Sequence, residues 1–156
     1  MQRLYNLDFK FLNTMMSYEA LRYLLQWTKK LMLPVPMMGS WSLYVLDVEE
    51  RALLVMDPCE TSEPIQEMQY RHEDNANFIL AGLHRCIHKN IPGWHVPAKG
   101  LRINYNVGMH DSCKMEDSWL HIVNYFSEYT RLYLQTQLTP AQLTYMRHQL
   151  HMRLCP

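Results

Sequence analysis

Polar side chains that could carry chemistry stand where apolar segments of this chain begin or end. Ser118 opens an apolar segment over residues 118–137, and Asp117 directly precedes it. The free N–H groups and the dipole at a helix N-terminus favour negative charge, so a serine there can act as a nucleophile, line an anion site or cap the helix. Asp57 follows a second apolar segment, and Ser40 precedes a third. The chemistry of this chain is therefore expected around Ser118.

Cysteines and histidines supply alternative nucleophiles and bases. Cys113 lies in the loop before the 118–137 segment, and Cys59 follows Asp57 after one proline. Cys113 is expected to be incidental or partly buried, because a reactive cysteine needs surroundings that stabilise its thiolate, and Cys59 is expected to be a buried small residue. A base for the serine could come from His110 in the same loop or from His121, one turn into the helix. A core or rim position is the simpler interpretation of His121.

Two sparse groups of candidate metal ligands occur at helical spacing. The first is His84, Cys86 and His88, and the second is His148, His151 and Cys155. Zinc sites need three or four converging ligands, which neither group supplies locally. Solvated surface histidines are therefore expected, and the sequence assigns no metal and no cofactor.

The segment that begins at Ser118 has the pattern of a buried helix. Its apolar residues recur at spacings of three and four, which gives a wide apolar face. They are Trp119, Ile122, Val123, Phe126, Tyr129, Tyr133 and Leu134. We therefore expect this helix to lie deep in the core, with Asp117 or Ser118 as its cap.

A β-hairpin is predicted upstream. Residues 41–46 and 52–56 are rich in aromatic, β-branched and other apolar residues, and a polar turn over 47–51 joins them. Both strands are largely apolar on both faces, so the hairpin should lie centrally in a sheet that is covered on both sides. Asp57 stands at the end of the second strand, and Pro58 terminates it.

Helices are expected towards both ends of the chain. One is predicted over residues 12–31, with Pro34 and Pro36 marking a break beyond it. Another begins after Thr139, a good N-cap, with Pro140 at the first helical position.

Two more elements are predicted in the middle of the chain. A short helix could form over residues 65–70, and Asp74 can cap a separate helix over 75–89. The inward positions of that second helix would be Phe78, Ile79, Leu83 and Ile87. Apolar residues alternate with polar ones over 100–107, which indicates a strand.

The composition narrows the partners and the compartment. The chain has 156 residues, which predicts a single domain over residues 1–156. Lys+Arg and Asp+Glu both number 15, so the zero net charge gives no reason to expect nucleic acid or an anionic membrane as a partner. The four cysteines form no CxxC motif, and the N-terminus is too polar for a signal peptide. Free thiols in an intracellular compartment, the nucleus or cytoplasm, are expected.

The order of these segments resembles the ubiquitin-like protease family, the SUMO-specific cysteine peptidases related to adenain. The resemblance covers about residues 30–156 and is strongest in LMLPVPMMGSWSLYVLDVEERALLVMD and EDSWLHIVNYFSEY, while MRHQLHMRL resembles the closing helix. In that family a His-Trp pair opens a strand, an Asp closes the next, and an Asp-Cys-Gly begins the central helix. The resemblance implies an α/β (α+β) fold of the papain-like or adenain-like kind, with a central mixed sheet and a buried helix starting near Ser118.

The resemblance also assigns positions to the catalytic groups of the family. Ser118 stands at the position of the nucleophilic Cys, and Ser40 at the position of the His that accepts its proton. Asp57 matches the acid that orients the His. Ser112 falls at the approximate position of the oxyanion Gln, and Trp119 replaces the Gly after the nucleophile. Because a serine cannot serve as the base at neutral pH, the resemblance implies that the fold is kept and the peptidase chemistry lost.

Three functions are open at this point. The first is a catalytically inactive domain whose groove, lined by Trp41 and Trp119, binds a ubiquitin-like protein or its C-terminal tail. The second is a residual peptidase that uses Ser118 or Cys113. The third is a transposon-derived relic without selected activity, since the family has spread widely in plant genomes. The section before residue 30 is shorter than the family usually carries, so a truncated chain is one interpretation.

Overall fold

The computed structural model is an α+β fold with a mixed four-stranded sheet. It describes residues 28–59, 64–90, 100–105, 113–128 and 138–154. The strands are β1 (Lys30–Met37), β2 (Ser40–Asp47), β3 (Ala52–Met56) and β4 (Arg102–Asn104). The helices are α1 (Ile65–Asn90), α2 (Ser118–Glu128) and α3 (Pro140–Leu154), and a 3-10 turn (Met115–Asp117) leads into α2. The strand order is β1-β2-β3-β4, with β3 and β4 parallel and the other pairs antiparallel.

Helices cover both faces of the sheet. On one face, side chains of the strands pack with α1 in a cluster of Val35, Tyr44, Leu46, Leu53, Val55, Met68, Ala76, Ile79, Leu83, Ile87 and Tyr105. On the other face they pack with α2 in a cluster of Leu43, Val45, Ala52, Leu54, Met56, Ile122 and Tyr125. Successive residues of a strand point to opposite faces, so β2 and β3 must be apolar at nearly every position.

The predicted central hairpin is confirmed. Residues of β2 pair antiparallel with those of β3 from Leu43 opposite Met56 to Asp47 opposite Ala52. Every residue of β3 is buried, as expected of a strand covered on both faces. Asp57 follows β3 directly, where the sequence placed it.

The helix predicted over residues 12–31 is wrong at its C-terminal end, because β1 begins at Lys30. Residues 28–29 precede β1 without helical structure, and residues 12–27 lie outside the described part of the chain. Pro34 and Pro36 do not mark a break but lie within β1. This strand is at the edge of the sheet, and a proline whose nitrogen faces away from the neighbouring strand removes no ladder hydrogen bond.

One continuous helix of 26 residues replaces the two helices predicted between residues 65 and 89. Asp74 lies inside α1 on its exposed side, so its assignment as an N-cap is wrong. The buried positions run without interruption through the polar stretch, because His72 and Asn75 face inward there. The predicted inward positions Ile79, Leu83 and Ile87 are buried, and Phe78 is half-buried.

The strand predicted over residues 100–107 is confirmed only in its centre. Three residues, Arg102–Asn104, pair with β3. The predicted alternation holds, since Leu101, Ile103 and Tyr105 pack against the α1 cluster. Residues 106–107 lie outside the described part of the chain.

Helix α2 begins at Ser118 as predicted, but its apolar face is rotated from the predicted one. Leu120, Ile122 and Tyr125 are buried, whereas Val123 and Phe126 are both 46% exposed. The reason is that the first residue of the helix, a serine, points into the protein and sets the rotation about the helix axis. Tyr129, Tyr133 and Leu134 of the predicted face lie outside the described residues.

Helix α3 begins as predicted and is closed by a reciprocal capping arrangement. The backbone N–H of Gln142 donates to Thr139 Oγ1 at 3.3 Å, and the backbone N–H of Thr139 donates to Gln142 Oε1 at 2.8 Å. This is a capping box, which satisfies two N–H groups at the helix start.

Among the described residues, no helix combines the length and the apolar character that crossing a membrane requires.

The central position of β3 predicts that its side chains dominate the stability. We expect Leu53→Ala to lower the free energy of unfolding by about 2–5 kcal/mol, because Leu53 is fully buried in the α1 cluster. Ile65→Ala is the control, since Ile65 is 53% exposed and should cost less than about 0.5 kcal/mol. Equilibrium urea denaturation measures both; equal losses would contradict this packing.

Candidate functional site

The candidate site lies where β2 continues beyond the end of β3. The last pair between these strands joins Leu43 to Met56, whereas β2 extends back to Ser40. Asp57 leaves β3 at this end, and Ser118 begins α2 beside it. The unpaired end of β2 therefore needs other partners for its backbone.

The backbone N–H of Trp41 finds its partner in a side chain of α2. Across β1, Trp41 lies opposite Pro36, which has no N–H, so these two residues do not exchange hydrogen bonds. The Trp41 N–H must point to the other side, where β3 has already ended. It donates to Ser118 Oγ at 2.8 Å, across 77 positions of sequence. This bond joins the start of β2 to the start of α2.

The side chain of Ser118 links two elements through hydrogen bonds, and its hydroxyl is not free. Its Oγ accepts from Trp41 and donates to the carbonyl of Met115 at 2.6 Å. The side chain is fully buried. The hydrogen bonds of its side chain go to β2 and to the preceding 3-10 turn, so its assignment as the cap of α2 is wrong. A serine without a nitrogen base on its hydroxyl proton is not activated for attack.

Ser40, at the position of the family's His, does not reach the acid. Its hydroxyl donates to the carbonyl of Met37 at 2.9 Å, within the turn between β1 and β2. Ser42, two residues along the same face of β2, donates to Asp57 Oδ2 at 3.1 Å instead. Asp57 therefore contacts a serine of β2, but this serine lies two residues after the predicted position, Ser40.

Asp57 is the centre of a buried polar network. Besides Ser42, its Oδ2 is 3.1 Å from Nε2 of His72, which α1 supplies. Its Oδ1 accepts from the backbone N–H of Cys59 at 2.9 Å. A buried carboxylate is costly unless such donors surround it, and these three compensate for its burial.

His72 is the functional residue that the sequence analysis missed. Both of its ring nitrogens are engaged, Nε2 by Asp57 and Nδ1 by the Tyr44 hydroxyl at 2.8 Å. Burial, reinforced by the charge of Asp57, raises the pKa of Tyr44 above its ordinary value, so the phenol keeps its proton. With Asp57 ionised, Nε2–H donates to it and Nδ1 accepts from Tyr44. His72 is fully buried, so it cannot serve an external substrate.

A signal for His72 existed in the sequence. It lies four residues after Met68 and four before Ala76, on the buried stripe of α1. The polar run RHED hid that stripe, because histidine is usually counted as a surface residue. An inward histidine between apolar positions would have predicted a buried polar partner.

The structure brings two distant cysteines together. Cys59 Sγ and Cys113 Sγ are 3.7 Å apart, and both residues are partly exposed. The hydrogen bond with Cys59 raises the pKa of Cys113 above its ordinary value, and burial and the carboxylates of Asp57 and Asp117 raise it further. These surroundings are the opposite of those that activate a catalytic thiol.

The other candidates contribute little to the site. Ser112 and His110 lie outside the described residues. His121 is half-buried and packs edge-on against Tyr125, with 6.3 Å between ring centroids, which agrees with a core or rim position. His84 and His88 stack on the surface of α1. In the part of the chain that the structure describes, no three His, Cys, Asp or Glu side chains are placed to hold a metal ion.

Two tryptophans and an ion pair flank the site. Trp41 is 38% exposed at the end of β2, and Trp119 is half-buried at the start of α2. Asp117, just before α2, is buried and accepts a hydrogen bond from Arg147 of α3. The ion pair holds the 3-10 turn against α3, so the surface around the two tryptophans is built from three separate elements.

A groove of about 550 Å³ lies elsewhere, beside β4. It is lined by Ile65, Gln69, Glu73, Asn77, Leu101, Ile103, Asn104 and Tyr105. None of the predicted site residues lines it, and its polar groups include no histidine or cysteine. We therefore assign it no chemistry.

The tie between β2 and α2 predicts the effect of removing the hydroxyl. Ser118→Ala should lower the free energy of unfolding by about 1–3 kcal/mol, because the N–H of Trp41 and the carbonyl of Met115 lose the fully buried hydroxyl as their partner. Ser40→Ala is the matched control and should cost about 1 kcal/mol or less, since its bond lies within one turn. Urea denaturation of both variants would contradict the tie if Ser40→Ala proved the more damaging.

The network around Asp57 predicts a larger effect. Asp57→Ala should cost about 3–5 kcal/mol, because it leaves His72 and two further donors without their acceptor. The exposed Asp74 provides the control, and Asp74→Ala should change stability by about 0.5 kcal/mol or less. Thermal and urea unfolding compare the two; a loss at Asp57 no greater than at Asp74 would show that the network contributes nothing.

Three comparisons with known proteins give no match. No protein-family model matches the chain. No curated protein matches it, and no solved structure does. The interpretation of the site therefore rests on the residues and distances described above.

Proposed function

We propose that this chain is a catalytically inactive relative of the ubiquitin-like proteases, with a papain-like or adenain-like fold. Its role would be to bind a ubiquitin-like protein or the C-terminal tail of one. The surface that binds is the one flanked by Trp41 and Trp119.

The hydrogen bond from Trp41 N–H to Ser118 Oγ carries the proposal. In a cysteine peptidase of this kind, the strand that bears the base must meet the helix that bears the nucleophile, because the two groups exchange a proton. Here the corresponding strand and helix meet within hydrogen-bond distance. Asp57 lies at the end of the adjacent strand, where an orienting acid is required.

The surroundings of these positions support the loss of catalysis. The hydroxyl of Ser118 is occupied by two backbone groups, and Ser40 is bonded within its own turn. Asp57 is committed to His72, whose other nitrogen is held by Tyr44. Because nucleophile, base and acid act as a unit, the loss of the first two removes several orders of magnitude in rate.

The exposed aromatic groups support a binding role. Side chains alternate along β2, so Trp41 lies on the same sheet face as α2, on which Trp119 stands. Trp41 is 38% exposed, and its neighbour Met38 in the turn after β1 is 57% exposed. Tryptophan is enriched among residues that dominate binding energy, because it combines a large apolar area with an N–H donor. An extended tail running between strand and helix would contact both rings.

An electrophilic probe tests the loss of catalysis. The protein is incubated with a SUMO-type protein carrying a C-terminal electrophile and then examined by intact mass spectrometry. We expect no covalent adduct, because neither Ser118 nor Cys113 is activated. An adduct mapped to either residue would overturn the proposed inactivity and favour a residual peptidase.

Binding is tested with purified ubiquitin-like proteins captured by the immobilised chain. We expect Trp119→Ala to weaken retention about tenfold, since a partly buried tryptophan at an interface typically contributes this much or more. Tyr145→Ala is the control, because Tyr145 is an aromatic residue 65% exposed on α3. If none of these proteins is retained at high concentration, or if both variants bind equally, the proposed partner or surface is wrong.

A further inference from the structure

We propose that Cys59 and Cys113 form a dithiol–disulfide site, at which a disulfide oxidant such as glutathione disulfide reversibly joins the end of β3 to the turn before α2. This proposal does not depend on the function proposed above.

The geometry already holds the two thiols in register. Their Sγ atoms are 3.7 Å apart. The backbone N–H of Cys113 donates to the carbonyl of Pro58 at 2.8 Å, which fixes the two chain segments side by side. The backbone of Cys59 is fixed in turn by its hydrogen bond to Asp57. A disulfide needs sulfurs about 2.05 Å apart, so the two Sγ atoms must approach by about 1.7 Å.

The thiols are accessible, unlike the other cysteine that the structure describes. Both are partly exposed, whereas Cys86 is buried on α1. Oxidation requires a thiol that solvent and oxidant can reach. The pair therefore has the two features that an exchange site needs, proximity and access.

The reaction balances with glutathione disulfide as the oxidant. Cys59 releases its proton to solvent, and its thiolate attacks one sulfur of glutathione disulfide. The S–S bond of the oxidant breaks, one glutathione leaves, and a mixed disulfide remains on Cys59. Cys113 then loses its proton as its sulfur attacks Sγ of Cys59, and the second glutathione leaves. The two protein thiols lose two electrons and two protons, and the oxidant gains both as two glutathione molecules.

We assign the first attack to Cys59 and the second to Cys113. The hydrogen bond to Cys59, burial and the nearby carboxylates hold the pKa of Cys113 above its usual range. Because the second step is intramolecular, it proceeds despite the small thiolate fraction of Cys113.

The bond would tie the turn that precedes α2. Residues Met115–Asp117 follow Cys113 almost directly and lead to Ser118. A cross-link between residues far apart in sequence restricts the unfolded chain, which stabilises the folded state. Oxidation would thus add a link from β3 to the turn before α2, beside the Ser118 hydrogen bonds that join β2 to α2.

The test is oxidation of the full chain with glutathione disulfide, followed by intact mass and peptide mapping. We expect loss of two hydrogen atoms, a link between the peptides containing Cys59 and Cys113, and a rise in melting temperature of about 10 °C. Dithiothreitol should reverse all three changes. No disulfide, a link between other cysteines, or an unchanged melting temperature would overturn the proposal.

Cysteine variants test the order of steps. Cys113→Ser should accumulate the mixed glutathione disulfide on Cys59, because the resolving sulfur is gone. Cys86→Ser and Cys155→Ser are the matched controls, and each should still form the disulfide. The wild-type peptide map stands by itself should Cys113→Ser fold poorly. A stable glutathione adduct on the wild-type chain, without closure, would contradict the site.

Discussion

Strand β3 ends before its neighbour β2 does, and the polar contacts at this end of the sheet follow from that constraint. Its last residue, Met56, pairs with Leu43, and the Asp57-Pro58 sequence then leaves the ladder. The backbone N–H of Trp41, at the end of β2, donates to a side chain of α2 and not to a neighbouring strand. A buried backbone group must find a partner, and an orphaned one costs about as much as a lost hydrogen bond.

Side chains from two helices form hydrogen bonds at this end of β2 and β3. On one face of the sheet, α2 supplies Ser118 to the N–H of Trp41. On the other, α1 supplies His72 to Asp57, which also accepts from Ser42 of β2. The bonds of Asp57 to Ser42 and His72 are buried, so each is worth more than a surface hydrogen bond and more costly to break. The same groups that satisfy the fold thereby occupy the atoms that a peptidase would need free.

This arrangement explains why the hydroxyl of Ser118 and the carboxylate of Asp57 are both engaged by other groups of the fold. The chain order of strand, acid and helix is enough to bring Ser118, Trp41 and Asp57 to one end of the sheet. Reactivity depends on which atoms remain unoccupied, and the hydroxyl of Ser118 has a carbonyl and an N–H where a base would have to be. The thiols of Cys59 and Cys113 meet in the same region, but the hydrogen bond with Cys59, burial and nearby carboxylates disfavour the thiolate of Cys113.

Local patterns in the sequence determined the hairpin of β2 and β3, the start of α2 and the cap of α3. Continuous apolar runs, the periodic apolar segment that begins at Ser118 and a Thr-Pro pair each act through neighbouring residues. Only the tertiary structure decided the rest, because it depends on contacts between residues far apart. An edge position in the sheet allows the proline-containing segment to form β1. The buried side of α1 places His72 beside Asp57, and the inward-pointing Ser118 determines the rotation of α2 about its axis. The meeting of Cys59 with Cys113 is of the same kind, since no spacing along the chain could predict it.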